Sequence, residues 1–308
     1  VISEFRSTIR GSREEAFAYH TRPGAFGRLT PPWESVELVD HLGGIEDGAR
    51  VTLKLQKGPI SLTWKLGHQD YIENEQFVDV QIEGPFEAWR HLHRFSDGEP
   101  GSFIMEDEVE WEPPLGRAGD LLGGPMVRSD LERMFAFRHR RLADDLALLR
   151  RLPRNGSLRI GISGASGLIG THLSHLIGVA GHTAVPLVRG RARADAAGGI
   201  YFSPSAGEVD AEGLRTLDAV VHLAGEPIQA VRWTSEKKRA IRESRVNGTE
   251  LLANTMAGLH NGPETLVCAS AVGFYGGRGT EILDESSSAG RGFLAETVEQ
   301  WEGATRRA

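Results

Sequence analysis

Cysteine is almost missing: the 308 residues hold one, Cys268. An internal disulfide is thereby excluded, and so sparing a use of thiols fits a reducing cytoplasm, the expected location. Apolar runs are short as well, and none approaches the ~18 residues that a membrane span needs. The opening "VISEFRSTIRGSREE" lacks the basic-then-apolar order of a secretory signal. Positive charge is not in excess. A net charge of −7 argues against nucleic acid as the main partner. Internal repeats and low-complexity tracts are missing too. Val1 is not an initiator methionine, so the natural start is expected to lie upstream. What remains is ordinary globular composition, 40% hydrophobic and 25% charged, over a length that suggests about two domains.

The two halves differ in rhythm. Up to residue 112 the chain is a series of short runs rich in β-branched and aromatic residues: "VELVDHL", "ARVTLKLQ", "ISLTWKLGHQDYI", "QFVDVQI" and "EAWRHLHRF". Gly, Pro, Asn and Asp separate them, as in an antiparallel meander. Ser12 is placed to cap a helix over "REEAFAYH", with Glu15 in the capping-box position. Glu106, Glu108, Glu110 and Glu112 alternate with Met105, Asp107, Val109 and Trp111. The first set reads as a wet face and the second as an inner face, where Asp107 is the odd polar residue, free to orient a ligand. Over 129–151, Leu131, Met134, Phe135, Leu142, Leu146 and Leu149 share one face of a long helix. Pro153, Asn155 and Gly156 end it. After Ser157 the order becomes strand, helix, strand, which indicates a parallel sheet with right-handed crossovers.

The stretch "RIGISGASGLIGTHL" joins such a strand to such a helix. Gly164 suits the tight turn, Gly167 lets backbone approach a pyrophosphate, and Gly170 lets helix pack on strand. The free N–H groups and dipole at the start of that helix favour a diphosphate. The next strand ends "PLVRGR" without a carboxylate to hold a ribose 2′-OH. Arg189 and Arg191 there offer forks suited to a 2′-phosphate, so NADP is expected and NAD is the alternative.

"SGASGLIG" resembles the T-G-x-x-G-x-x-G loop of extended short-chain dehydrogenase/reductases, with Ser163 in the Thr position. "HLAG", "RWTSEKKRAIRESRVNGTELL" and "SAVGFYG…GFLAETVEQWE" are similar to the atypical "epimerase family" oxidoreductases of that superfamily. The order of elements before them, with "MEDEVEWEPPLG", resembles the START-like helix-grip (polyketide cyclase-like) domain that one branch carries at its N-terminus. The resemblances imply an α+β START-like domain over 1–152, a linker over 153–157 and a doubly wound Rossmann α/β domain over 158–308. They imply a small, hydrophobic ligand in the first domain, with Trp33, Trp64, Trp89 and Trp111 as candidate lining or core. They also imply that the chain stops inside the superfamily's fold, truncated at its C-terminus. Oligomeric state is left open.

Gly161, Gly164, Ser166, Gly167, Leu168, Ile169, Arg189, Arg191, Leu223, Ala224 and Gly225 are the expected cofactor-binding residues. Glu226, Arg232 and Trp233 belong to the substrate side by resemblance. The superfamily's Tyr-x-x-x-Lys pair, in which Lys lowers the Tyr pKa, has no match. Aligning on Phe293 places Thr297 at the Lys position, and aligning on Leu294 places Val298 there. Arg245 stands where the superfamily has a structural Asn. Ser270 and Tyr275 are left as the catalytic candidates, with Glu296 a weaker third. An oxidoreductase or epimerase, a non-catalytic NADP sensor and a hydrophobic-ligand carrier all remain open. No metal site is expected: His172 and His175 share a helix face, His91 and His93 a strand face, and neither pair has an evident third ligand.

Overall fold

The computed structural model describes residues 1–153, 156–229 and 232–308, the side chain at position 122 apart. Asn155 of the expected linker lies outside the described residues. The chain divides into two compact units, Val1–Asn155 and Gly156–Ala308. Among the described residues no helix is long and apolar enough to cross a membrane.

The first unit starts with β1 (Ile2–Arg10), α1 (Arg13–Thr21) and α2 (Ala25–Leu29). Ser12 caps α1 as its sequence predicts, accepting the Glu15 N–H at 3.2 Å. Six strands follow: β2 (Ser35–Leu42), β3 (Arg50–Lys57), β4 (Ile60–Ile72), β5 (Gln76–Glu83), β6 (Ala88–Asp97) and β7 (Ser102–Glu112). They form one antiparallel sheet in the order β1-β7-β6-β5-β4-β3-β2. Along β7, Met105, Asp107, Val109 and Trp111 are buried while the glutamates between them are not, so the two faces fall as the alternation requires.

α3 (Gly116–Leu149) supplies the apolar stripe that covers the inner face. Its Leu131 and Phe135 share a core with Leu53, Leu66, Trp89, Val109 and Trp111. Phe5 stacks on Phe135 with ring centroids 4.5 Å apart. Trp89 and Trp111 are therefore packing residues, and Trp64 meets Trp89 edge-on at 5.0 Å. Trp33 is 45% exposed and lies against Phe137 and Arg133. α3 starts at Gly116, well before residue 129. Its first turns contain Gly119, Gly123, Gly124 and Pro125, which read as breakers in sequence. At Gly119 a Cβ would come 1.9 Å from the Pro114 carbonyl oxygen, so a glycine is what lets the helix leave the end of β7 so tightly. Pro125 forfeits one backbone hydrogen bond, and the helix runs through it.

Buried charge ties the short helices to α3. Tyr19 donates its hydroxyl to Asp145 at 2.8 Å, and Arg28 Nε donates to the same oxygen at 2.8 Å while its Nη2 bonds the other. Burial, then the Asp145 charge, push the Tyr19 phenol up, so it stays a donor. Removing Asp145 would strand a guanidinium and a phenol. Asp145→Ala is expected to lower the unfolding free energy of this unit by about 3–5 kcal/mol. Tyr19→Phe is expected to cost about 1 kcal/mol, both read by urea denaturation. Equal losses for the two variants would contradict this ordering.

The second unit is built from β8 (Arg159–Ser163), α4 (Leu168–Val179), β9 (Thr183–Val188), α5 (Arg191–Ala196), β10 (Ile200–Ser203), β11 (Glu208–Val209), α6 (Ala211–Leu214), β12 (Ala219–His222), α7 (Ser235–Gly258), β13 (Thr265–Cys268) and α8 (Phe293–Gly303). The sheet order is β11-β10-β9-β8-β12-β13, with every pair parallel except β10 and β11. Strand order reverses at β8 and β12, which is where open α/β sheets place a ligand crevice. β10 and β11 are short strands that sequence reading does not resolve. Val185, Leu187, Phe202, Leu214, Val220 and Leu252 fill the core beneath.

Candidate functional site

The turn between β8 and α4 is shaped by what a side chain would strike. Gly164 has φ +74°, and a Cβ there would meet the Leu223–Ala224 backbone at 3.0–3.2 Å. A Cβ on Gly170 would sit 2.1 Å from the Gly164 carbonyl oxygen, so only glycine allows the first turn of α4 to close on the loop. Gly167 caps α4 without any side-chain bond to the first-turn N–H groups. Ser166, Gly167, Leu168 and Ile169 are all exposed, with the two aliphatic side chains 80% and 66% accessible. The result is an uncapped helix N-terminus with bare backbone before it and apolar side chains beside it. Gly161 lies apart from this cradle. It is inside β8, and its Cβ position points at Leu217 and Leu187 in the core, so its smallness serves packing.

Ser163, the last residue of β8, is fully buried. Its Oγ accepts the N–H groups of Leu223 at 3.1 Å and Ala224 at 3.2 Å. With both lone-pair directions used, its proton goes to His222 Nδ1, 2.5 Å away. This arrangement requires a neutral imidazole, and burial pushes His222 down to about 4. Leu223 and Ala224 are thus held by their backbone at the head of β12. Gly225 follows, with the Arg245 guanidinium 3.1 Å from its Cβ position.

A cavity of about 700 Å³ opens beyond the ends of β12 and β13. Its lining is mostly apolar, with Ile228, Trp233, Phe293, Leu294, Val298 and Trp301 prominent and Arg245 and Ser270 among the polar exceptions. Phe293, Leu294, Thr297 and Val298, the residues in both registers of the absent Tyr-Lys pair, all face it. Ser270 donates to a carboxylate oxygen of Glu302 on α8. Tyr275 sits on a 3₁₀ turn (Val272–Tyr275) whose Gly273 lines the cavity, yet Tyr275 is not among the lining residues and packs on Phe274. Glu296 is exposed on α8. Of the substrate-side residues, Trp233 lines the cavity and bonds the Ile228 carbonyl at 3.0 Å, Glu226 pairs with Lys237 at 2.5 Å, and Arg232 is exposed.

Two residues gain weight that sequence reading did not give them. Arg245 donates to the carbonyls of Glu226 at 2.9 Å and Ile241 at 3.1 Å and stacks over Trp301 at 5.3 Å. Its charge meets no carboxylate in these contacts. Glu302 carries no signal in the sequence, because its partner Ser270 lies 32 residues away on another element. At the end of β9 the two arginines separate. Arg191 is engaged by Glu208 at 3.0 Å and lies over Tyr201 at 4.2 Å. Arg189 is exposed, with no ion pair among the described residues. Burial pushes the Cys268 thiol up, which argues against a nucleophilic role.

In the first unit, His91, His93 and Asp107 all lie on the inner face of the sheet and are buried together. Asp79, from the neighbouring strand, reaches both imidazoles.

A parallel α/β domain with a glycine-built helix N-terminus and an antiparallel sheet gripped by one long helix define a two-domain protein. Residues 160–294 match the model of the NAD dependent epimerase/dehydratase family, and residues 9–137 that of polyketide cyclase/dehydrase and lipid transport proteins. "Epimerase family protein Mb2239" of Mycobacterium bovis is 42% identical over 149 residues, 48% of each chain. Human "Epimerase family protein SDR39U1" is 34% identical over 152 residues, 48% of this chain and 49% of that one. The chain spans about half the length of the curated relatives it matches. A Corynebacterium glutamicum crystal structure described as a nucleoside-diphosphate sugar epimerase is 33% identical, with a TM-score of 0.81 over 99% of this chain and 62% of that one. The first unit is thus similar to the polyketide cyclase/dehydrase and lipid transport proteins, and the second to the NAD dependent epimerase/dehydratase family.

The burial of His222 sets a pH dependence. The folded pKa of about 4 lies below the ordinary 6.5, so between these values the unfolded chain takes a proton that the folded one refuses. Stability contributed by neutral His222 is present above pH 6.5 and is lost as pH falls towards 4, by up to about 3 kcal/mol. The His222 imidazole is expected to titrate near pH 4 by NMR, and His222→Gln is expected to flatten the stability profile across that window. A midpoint near 6.5 would show that the imidazole is not sealed as described.

Proposed function

We propose that the second unit is a Rossmann domain that binds NADP(H), with the diphosphate at the N-terminus of α4 and the nicotinamide towards Gly225 and Ser270. The observation that carries this reading is the cradle itself. Gly164, Gly167 and Gly170 clear the backbone, and α4 presents first-turn N–H groups without a side-chain cap. Ser166, Leu168 and Ile169 flank it, while Leu223, Ala224 and Gly225 form the opposite wall. Arg189 favours the 2′-phosphate, since Arg191 is occupied by Glu208. Bound NADP(H) would supply hydride exchange at its nicotinamide.

The chain's own residues point to a reductase or epimerase acting on a small, apolar carbonyl or hydroxyl compound in the cavity beside Trp233 and Phe293. Ser270, bonded to Glu302, is the group placed to hold or pass a proton. Arg245 would favour developing negative charge on a substrate oxygen. Tyr275 is demoted to supporting the turn. The second reading is a non-catalytic NADP sensor, and the buried Thr297 and Val298 at the Lys position favour it. The first unit is read as binding a hydrophobic small molecule, in keeping with its START-like fold.

Fluorescence titration tests the cofactor reading directly. NADPH is expected to bind more tightly than NADH. Arg189→Glu is expected to weaken NADPH by about 10- to 100-fold and leave NADH nearly unchanged, with a smaller effect from Arg191→Ala. Tighter binding of NADH, or no binding of either nucleotide, would overturn it. NADPH oxidation over a panel of carbonyl compounds, lost in Ser270→Ala with binding retained, separates the enzyme from the sensor.

A further inference from the structure

The inner face of the first unit holds polar groups that neither packing nor the nucleotide site uses. Register explains how they meet. Residues directly opposite on adjacent strands share a face, and His68, Asp79, His91 and Val109 form one such row across β4, β5, β6 and β7. The next row is Phe77, His93, Asp107 and Phe5. Three imidazoles and two carboxylates are so gathered under α3, which adds His139 from above. His91, His93 and Asp107 are each no more than 3% exposed.

The distances divide this cluster into two kinds of contact. Around Asp107, His91 Nε2 at 2.8 Å and His139 Nε2 at 2.6 Å are hydrogen-bonded, while His93 Nδ1 lies 2.8 Å away but out of line for a hydrogen bond. Around Asp79 Oδ2 they are longer: 3.3 Å to His93 Nε2 and 3.6 Å to His91 Nδ1. The first is a long hydrogen bond and the second is too long to be one. Both are close to the separation of about 3.3–3.5 Å between two ligand atoms that sit ~2.0–2.1 Å from one tetrahedral ion. One donor atom each from Asp79, His91 and His93 lies within 4.8 Å of the others.

We propose that Asp79 Oδ2, His91 Nδ1 and His93 Nε2 bind a divalent first-row transition ion, with Asp107 behind them as the positioning residue. Each imidazole turns one nitrogen to Asp79 and the other to Asp107. For His91, hydrogen-bonded to Asp107, that is the carboxylate–histidine–metal relay which fixes ring orientation in metal sites. Charge agrees with the geometry: two buried carboxylates and one divalent ion sum to zero, so the imidazoles are neutral and able to ligate. Two nitrogens and one carboxylate oxygen suit zinc or iron(II) over magnesium or calcium. His68 Nε2, 2.9 Å from Asp79 Oδ1 but out of line for a hydrogen bond, is the nearest further donor. The site lies wholly in the first unit and is independent of the nucleotide reading.

The test uses the full chain without an affinity tag, stripped with chelator and titrated with Co²⁺ and then Zn²⁺. One Co²⁺ per chain is expected, with visible ligand-field bands that Zn²⁺ abolishes. Asp79→Asn and His93→Gln, checked for folding by circular dichroism, are expected to remove the bands. Asp107→Asn is expected to weaken Co²⁺ by about 10- to 100-fold. Diffraction of Zn²⁺-loaded wild-type crystals at the zinc edge gives an answer that needs no variant: an anomalous peak between these three residues. Folded wild type without bands at saturating Co²⁺, bands that persist in folded Asp79→Asn and His93→Gln, or an anomalous peak elsewhere would each overturn the proposal.

Discussion

Ser163 Oγ is withdrawn from water at the end of β8, and three neighbours answer it: two N–H groups from the β12 exit and one imidazole nitrogen. A buried hydroxyl left unmatched would cost about 1–3 kcal/mol, so the exit of β12 is not free to wander. Leu223 and Ala224 are drawn against the glycine turn, and Gly164 tolerates the approach because it has no Cβ to meet them. The cradle, the far wall at Gly225 and the mouth of the cavity all take their positions from that one hydroxyl. A threonine at this position, as in the short-chain dehydrogenase/reductase loop it resembles, would offer the same oxygen. Here the paired imidazole, kept neutral by burial, completes the arrangement.

The same requirement organises the first unit, with two different outcomes. At Asp145 it is met in full. One carboxylate accepts from Tyr19 and from the Nε and Nη2 of Arg28 at short distances, and the short helices are fastened to α3. At Asp79 it is met loosely. Burial opposes its charge, yet His68, His91 and His93 together hold its carboxyl well below the usual carboxylate range. Three imidazoles surround it, and the contacts to His91 and His93 are too long for strong hydrogen bonds. Asp107, two strands away, hydrogen-bonds His91 and His139, with His93 Nδ1 close but out of line. The contrast between two carboxylates in one cluster is the ground on which the proposed ion site includes Asp79 as a ligand and Asp107 as its support.

Much of this was legible from residue order because the signals were periodic. The alternation along β7, the Ser12 cap and the strand-glycine-helix passage at β8 each rest on local chemistry. Other features depended on partners distant in sequence. Nothing near His91 and His93 announces a third ligand; Asp79 reaches them only through the β5–β6 register. Arg191 offers a fork to a phosphate in sequence, and Glu208, which the fold brings beside it, competes for that fork. Gly161 fitted the glycine rhythm, yet the strand faces it towards Leu217. α3 was shortened in sequence because Gly119, Gly123, Gly124 and Pro125 carry breaker character that the turn after β7 overrides.

The replaced Tyr-Lys pair has a physical counterpart in the cavity wall. A lysine at that position would put a positive charge beside the reacting carbonyl. Thr297 instead turns its hydroxyl back to the Phe293 carbonyl at 2.6 Å, and Val298 is buried, so α8 offers neither charge nor proton there. Arg245 enters the same space from α7, where the superfamily has a neutral amide. Its guanidinium donates to backbone carbonyls and lies over Trp301, so its charge is not cancelled by a partner carboxylate in those contacts. Positive charge is thus moved from one helix to another across a mostly apolar cavity. In the proposed reading the chemistry follows it: an oxyanion forming in this cavity would face Arg245, and the hydroxyl nearest to serve it would be Ser270, backed by Glu302.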